Sequence, residues 1–200
     1  MSTRTLFVTR LYEADLTGEP GFDADQLSDA ARAVADEDEA GQAWAAANAY
    51  GGYTSYASLD DLTRRDSLFD DLRRSLDRHV KKFAADLFLD APRLKLDHLW
   101  INILKPGAAH SGHIHPGSVI SGTLYLELPK GASPLKLEDP RLGLMMAAPK
   151  RRADAPETDR TFIALTPAVG TLYLWESFIR HEVPANAARR ERVSLSFNYA

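Results

Sequence analysis

From residue 94 to the C-terminus, the sequence consists of short runs rich in β-forming residues. Clear turn signals separate them: Lys105-Pro106-Gly107, Pro129-Lys130-Gly131 and Pro167-Ala168-Val169-Gly170. The runs cover residues 94–104, 112–115, 119–128, 135–138, 161–165, 170–175, 178–184 and 192–199. Eight short runs at this spacing are typical of antiparallel sheets, whereas a parallel α/β sheet places a helix between successive strands. We therefore predict a mainly β fold with flanking helices, built as a sandwich or jelly roll.

The first half of the chain predicts supporting elements for this β core. Residues 5–11 alternate in character and predict a strand, while residues 24–48 predict an alanine-rich helix with a break near Asp38. A second helix is predicted over 67–88, where Leu68, Leu72, Leu76 and Val80 recur every four residues. Residues 145–159 predict an exposed loop. We expect a single domain over 1–200, with the supporting strand and helices in 1–93 and the jelly-roll core in 94–200.

Charge and cysteine content exclude several classes of function. The net charge of −4 gives no broad attraction to nucleic acid or to an anionic membrane, so neither is an expected partner. The absence of cysteine excludes disulfides, thiolate metal sites and a cysteine nucleophile. The sequence carries no apolar run of the kind found in signal peptides or membrane spans. These features predict a cytoplasmic protein.

The histidines His113 and His115 stand two residues apart in a β-like run. Side chains at this spacing project from the same face of a strand, so both imidazoles can reach one divalent metal ion. His181, in a distant apolar run, is the expected third ligand of a facial set with open positions opposite it. His110 is a rival ligand. The alternative is that His181 is a hydrogen-bonded core residue and that the His-x-His pair lies on an ordinary surface strand.

The stretch Gly51-Gly52-Tyr53-Thr54-Ser55-Tyr56 interrupts the helical pattern with two glycines and two tyrosines. It predicts either a simple turn or a loop at the mouth of a site, since paired glycines allow close approach of the backbone.

Seven segments follow one another along the chain: the residue 51–56 stretch, His113-Ile114-His115-Pro116, Ser121-Gly122-Thr123-Leu124-Tyr125-Leu126, Leu137-Glu138-Asp139-Pro140-Arg141, Gly170-Thr171-Leu172-Tyr173-Leu174-Trp175, His181-Glu182-Val183 and Arg192-Val193-Ser194-Leu195-Ser196-Phe197-Asn198. Taken together and in this order, they resemble the iron(II)/2-oxoglutarate (2OG)-dependent oxygenase superfamily, and more narrowly an uncharacterised bacterial branch of it. The resemblance covers residues 99–200. It implies a double-stranded β-helix (jelly roll), bound Fe(II), 2OG as co-substrate, O2 as oxidant and hydroxylation of a substrate C–H bond.

Carried over by position, the resemblance makes His113 and His181 metal ligands and places His115 where most of the superfamily has a carboxylate. It implies that Arg192 binds the far carboxylate of 2OG, with Arg189 and Arg190 as alternatives. Cofactor-binding roles also fall to Tyr125, for the same carboxylate, and to Asn102, for the near end of 2OG. Beyond the metal centre it implies no separate catalytic residue. Three bulky residues are expected to pack the sandwich: Trp100, Trp175 and Phe178.

Two other functions stay open from the sequence. A cupin-like metalloenzyme with three histidine ligands, such as a dioxygenase or isomerase, would work without 2OG. The other is a non-catalytic jelly roll that binds metal or ligand, in which His110, His113 and His115 form an incidental surface cluster. The expected substrate is a small molecule or a peptide, and no residue pattern selects between them. Uncovered sheet edges would allow a homodimer.

Overall fold

The computed structural model describes residues 2–200, which contain three α-helices and ten strands. The helices are α1, Ala24–Glu37; α2, Glu39–Ala47; and α3, Ser67–Asp86. The strands are β1, Tyr12–Asp15; β2, Gly52–Thr54; β3, Leu96–Leu104; β4, His110–His113; β5, Ile120–Glu127; β6, Leu135–Glu138; β7, Phe162–Leu165; β8, Thr171–Glu176; β9, His181–Val183; and β10, Arg192–Tyr199. None of the helices within residues 2–200 has the length and apolar character needed to cross a bilayer.

The strands form two sheets in which every neighbouring pair is antiparallel. The larger sheet has the order β1-β8-β5-β10-β3-β2, and the smaller has the order β4-β9-β6-β7. Strands that are distant in sequence are therefore neighbours in both sheets. This is the predicted mainly β architecture with flanking helices, and its paired antiparallel sheets form a jelly roll.

One face of the larger sheet is covered by helices. Leu72, Leu76 and Val80 from α3 are buried in a core cluster that also contains Leu124 of β5 and Leu195 of β10. The predicted four-residue stripe on this helix is therefore confirmed as its core-facing side. Because the helices take one face of the large sheet, the other face is left for the smaller sheet.

A second core cluster fills the space between the two sheets. It joins Leu104 of β3, Tyr125 of β5 and Trp175 of β8 in the larger sheet to Leu137 of β6 and Val183 of β9 in the smaller one. All five side chains are buried. The candidate site is built at this inter-sheet layer, so its walls come from both sheets.

The observed elements depart from the predicted ones at three places. The predicted strand at 5–11 is wrong: the pairing strand is Tyr12–Asp15, and Phe7 is 92% exposed. Residues 5–11 have β-forming side chains but no neighbouring strand, and propensity alone does not hold a strand in place. The run 112–115 is paired over His110–His113 instead, and only His181–Val183 of 178–184 forms a strand. The helix break at Asp38 is confirmed.

The break between α1 and α2 is held by the buried carboxylate of Asp38. Its oxygens accept hydrogen bonds from the Gly41 amide (3.0 Å), the Tyr53 hydroxyl (2.8 Å) and the Ser58 hydroxyl. Burial opposes ionisation of this carboxyl, but these bonds outweigh it and hold the pKa of Asp38 below its usual range. Asp38 thus caps α2 and ties it to β2, which borders the candidate site.

The Asp38 cluster leaves no room for a side chain at Gly41. A Cβ at this position would overlap Asp38 Oδ2 and stand 2.9 Å from the Tyr53 ring. We expect Gly41→Ala to lower the free energy of unfolding by about 1–2 kcal/mol, because overpacking outweighs the ~1 kcal/mol helix preference of alanine. Urea unfolding checks this, with Gly143→Ala as the control, since a Cβ there meets nothing within 4 Å. Equal stability of the two variants would contradict the proposed packing.

Candidate active site

Three histidines from separate positions meet at the edge of the smaller sheet. His113 ends β4 and His181 begins β9, and the two residues are directly opposite each other across this antiparallel pair. His115 lies two residues beyond β4, where its backbone N–H donates to the Ser177 carbonyl at 3.1 Å. The side-chain nitrogens of the three histidines lie within 4.8 Å of one another, close enough to share a metal ion. The predicted set of His113, His115 and His181 is therefore brought together.

Hydrogen bonds orient two of these rings. His113 Nδ1 lies 2.8 Å from the Ser111 carbonyl oxygen, and His181 Nδ1 lies 3.0 Å from the Ile179 carbonyl oxygen. A carbonyl only accepts, so each Nδ1 carries the proton and each Nε2 keeps a free lone pair. This is the arrangement that presents neutral imidazole to a metal.

A buried polar chain lies behind the third ring. His115 Nδ1 lies 3.4 Å from the Asn198 side-chain amide, whose oxygen accepts from Ser121 Oγ at 2.7 Å. Ser121 Oγ in turn lies 2.7 Å from Ser177 Oγ. Asn198 therefore orients the His115 ring.

Burial keeps two of the rings uncharged. It lowers the pKa of His181 to about 3 and that of His115 to about 4, with the neighbouring His113 adding to both shifts. Within residues 2–200, no acidic side chain joins the three-histidine group. The group is thus a set of imidazole nitrogen donors, which suits a divalent transition metal such as iron, cobalt or zinc.

His110, the rival ligand, lies apart from this group. Its Nε2 contacts the Tyr50 hydroxyl, and its ring centroid is 6.5 Å from that of His113. Burial lowers the pKa of His110 to about 3, so it too is neutral. His110 lies in the wall of a cavity that the three histidines also line, and its ring nitrogen has another partner.

A buried cation faces the same cavity. Arg192 opens β10 and is only 3% exposed, whereas Arg189 and Arg190 are exposed. Its guanidinium donates to the Ser133 carbonyl at 3.0 Å and lies 5.0 Å from the centre of the Tyr125 ring. No ion pair to an acidic residue compensates this charge within the described chain. A buried cation without an acid partner favours binding of an anion.

Tyr125 adds a hydrogen-bonding group beside this cation. Its hydroxyl is completely buried and has no hydrogen-bond partner within 2–200. Burial raises the pKa of Tyr125, so the hydroxyl keeps its proton and can donate it. The predicted pair of Arg192 and Tyr125 is therefore adjacent, and both groups are available to one anion.

Asn102 lies in the cavity wall but is already engaged. Its carbonyl oxygen accepts from Thr54 Oγ1 at 3.0 Å and from the Tyr50 hydroxyl at 3.3 Å, while its amide donates to Ser196 Oγ at 3.0 Å. One amide hydrogen is left for a ligand.

The cavity that joins these groups has a volume of about 580 Å³. Besides the histidines, its wall includes six aromatic side chains: Trp44, Tyr50, Tyr56, Trp100, Tyr125 and Trp175. A larger cavity of about 770 Å³ borders the end of α3, but its lining contains no histidine and lacks the chemistry described above.

The predicted roles of the bulky residues are partly wrong. Trp175 packs between the sheets as predicted, with its ring 4.7 Å from that of His181. Trp100 is buried but borders the cavity, and Phe178 is 55% exposed because it lies in the turn before β9. Sequence reasoning missed Trp44 and Tyr50, although the residue 51–56 stretch correctly pointed to the cavity mouth through Thr54 and Tyr56.

The chain is similar to known proteins both in sequence and in fold. The sequence model of the family described as "Putative 2OG-Fe(II) oxygenase" matches residues 98–198. No curated protein sequence matches the chain.

Two solved structures are similar in fold, and a third matches over part of its length. A Pseudomonas putida prolyl-4-hydroxylase aligns with a TM-score of 0.60 and 17% identity, over 96% of this chain and 92% of that chain. The epimerase SnoN, in complex with Fe3+, alpha ketoglutarate and nogalamycin RO, aligns with a TM-score of 0.64 and 13% identity, over 96% of this chain and 78% of that chain. A Burkholderia pseudomallei oxidoreductase of the 2OG-Fe(II) oxygenase family has a TM-score of 0.49 and 19% identity. The alignment covers 68% of this chain but only 58% of the Burkholderia chain.

The family match spans just over half of the 200 residues and contains the three clustered histidines as well as Arg192. The chain therefore belongs to the 2OG-Fe(II) oxygenase family.

Proposed function

We propose that this protein is a hydroxylase in which His113, His115 and His181 hold Fe(II) and Arg192 anchors 2OG. One observation carries the proposal: a single cavity contains both a three-imidazole cluster and a buried cation without an acidic partner in residues 2–200. 2OG has a keto acid end that chelates a metal and a distant carboxylate that pairs with a cation. Its chemistry matches both features of the cavity.

The histidines supply the metal site. His113 and His181 would bind through Nε2, since the hydrogen bonds at Nδ1 fix their tautomers. When bound, Fe(II) with 2OG and O2 supplies the oxidation of a substrate C–H bond to an alcohol, with succinate and CO2 as the other products. Three ligands from one side leave positions open for the co-substrate and the oxidant.

The arginine and tyrosine supply the co-substrate site. The planar guanidinium of Arg192 suits two parallel hydrogen bonds to a carboxylate, and the Tyr125 hydroxyl would add a third. Asn102 would contact the near end of 2OG through its remaining amide hydrogen. Because both Arg192 and Tyr125 are buried, the carboxylate would be held away from water and every contact would be strengthened.

The solved relatives suggest the range of substrates. One is named a prolyl-4-hydroxylase, and another is an epimerase bound to nogalamycin RO. A peptide side chain and a small molecule are therefore both within the range of this fold, and we propose a substrate from these two sources.

A second candidate function rests on His115. With a histidine in the usual carboxylate position, all three candidate ligands are neutral, as in a cupin-like enzyme that works without 2OG. The two functions differ in one measurable property, which is whether 2OG binds at the metal.

Removing the charge of Arg192 tests the co-substrate site. We expect Arg192→Met to weaken 2OG binding by about 100-fold, because a buried carboxylate–guanidinium contact is worth ~3 kcal/mol. The metal-free variant should be at least as stable as the parent, since an uncompensated buried charge is removed. Anaerobic titration of the Fe(II)-loaded protein with 2OG, followed by its visible charge-transfer band, measures the affinity.

The control is Arg189→Met, because Arg189 is exposed. Equal affinities for 2OG in the two variants would refute the role of Arg192. Absence of the band in the parent protein would favour the cupin-like function.

Truncating the third ligand tests the metal site. We expect His181→Ala to lose stoichiometric Fe(II) binding with little loss of secondary structure, since two imidazoles remain and the β4–β9 backbone pairing does not need the ring. Equilibrium dialysis with metal analysis and circular dichroism measure the two effects. His98→Ala is the control, because His98 lies on β3 outside the three-histidine group, with its Nδ1 2.7 Å from an Asp60 carboxylate oxygen. Stoichiometric iron in His181→Ala would show that His181 is not a ligand.

The buried neutral rings also make the metal-free protein sensitive to acid. The folded-state pKa of His181 (about 3) and of His115 (about 4) lies below the unfolded value of about 6.5, so the unfolded chain binds more protons below that pH. The stabilisation is therefore complete above pH ~6.5 and declines as the pH falls towards 4. We expect the free energy of unfolding, measured with chelator present, to fall as the pH is lowered from about 7 to about 5, which is roughly the range where histidine titrates. His181→Gln should reduce this slope, because it removes one of the two rings whose pKa burial lowers. An unchanged slope in His181→Gln would contradict the burial argument.

A further inference from the structure

An aromatic wall leads from solvent to the candidate metal site. Tyr56 is 50% exposed and packs edge-on against Trp100, with ring centroids 5.0 Å apart. The Trp100 ring lies 5.7 Å from that of His115. A ligand that enters along this wall would meet aromatic surface before it meets a histidine.

A second group of apolar side chains borders the same cavity. Trp44 is 38% exposed and packs against Tyr50, with centroids 6.2 Å apart, and Tyr50 in turn packs against His110. Ile114, between two candidate ligands, is 44% exposed. Large apolar side chains that stay exposed around one opening are typical of a binding site for an apolar group.

The charge of the cavity wall restricts the ligand further. Its lining within residues 2–200 contains no aspartate, glutamate or lysine, and Arg192 is its one permanently charged side chain. Under the proposed function, the far carboxylate of 2OG pairs with that arginine. A cationic substrate would lose water without gaining a carboxylate partner. Attraction to the aromatic rings, worth about 0.5–2 kcal/mol, would repay only part of that desolvation.

From these observations we infer that the group presented to the metal is an uncharged apolar one, a ring or a branched hydrocarbon, and not an ammonium or guanidinium side chain. The inference rests on the proposed function and names the substrate class of that site. A neutral ring can be carried by a peptide or by a free small molecule, and the experiment separates these two sources.

Tryptophan fluorescence gives a direct binding signal. The chain has three tryptophans, and all of them line this cavity: Trp44, Trp100 and Trp175. The experiment uses protein loaded with Co(II), which is stable in air, and saturated with 2OG. Two probe pairs differ mainly in charge: benzyl alcohol against benzylammonium, and N-acetyl-leucinamide against N-acetyl-lysinamide.

We expect the neutral member of a pair to bind about tenfold more tightly than the cation, whichever pair binds better. The better-binding pair identifies the free or the peptide-borne source. Tyr56→Ala should weaken the neutral probe by about fivefold, through loss of one aromatic contact. Phe162→Ala should leave it unchanged, because Phe162 is similarly exposed (44%) but lies outside this cavity.

The possible failures are distinguishable. If Co(II) or 2OG does not bind to the parent protein, as judged by the Co(II) absorption spectrum, the proposed function fails first. If both bind but the cations bind as tightly as the neutral probes, or no probe quenches the fluorescence up to its solubility, the inference about the substrate is overturned. Equal loss of binding in Tyr56→Ala and Phe162→Ala would also overturn it.

Discussion

The site depends on the antiparallel pairing of β4 with β9. This pairing sets His113 opposite His181, and β9 is held on its other side by β6, where His181 is the partner of Leu137. Side chains alternate across a strand, so a slip of one residue would turn His181 away from the cavity. Such a slip would also move the buried Val183, on the same face, out of the inter-sheet core. The packing of the two sheets therefore fixes the register that brings the ligands together.

The candidate site is divided between the two sheets. The histidines belong to the edge of the smaller sheet, whereas Arg192 and Tyr125 belong to neighbouring central strands of the larger one. The hydrophobic layer between the sheets, which includes Trp175, sets the spacing between these two halves. A rigid core thus holds a metal site and an anion site at a fixed separation, as a ligand with a chelating end and a remote carboxylate requires. The helices contribute indirectly, because Asp38 ties α2 to β2 at the cavity border.

Local patterns predicted some of these features and missed others for a physical reason. The stripe from Leu68 to Val80 and the break at Asp38 depend on neighbouring residues, so the sequence revealed both. The strand predicted at 5–11 has the right residue types, but strand formation needs a partner that only the folded chain supplies. Tyr50 contacts His110 across 60 residues, and no local pattern encodes that contact. Burial likewise separates Arg192 from Arg189 and Arg190, which look alike in sequence.

The replacement of a carboxylate by His115 changes how metal and co-substrate depend on each other. Three neutral imidazoles leave the full charge of a divalent ion in place, whereas a carboxylate ligand would cancel part of it. The metal would be held less strongly by the protein alone, and the dianionic 2OG would gain more from binding beside it. Binding of each must strengthen binding of the other by the same factor, because coupling free energies are reciprocal. With Arg192 adding a further positive charge nearby, the proposed site would gain its charge balance largely from the co-substrate. The co-substrate would then be a structural part of the metal site as well as an electron donor to O2.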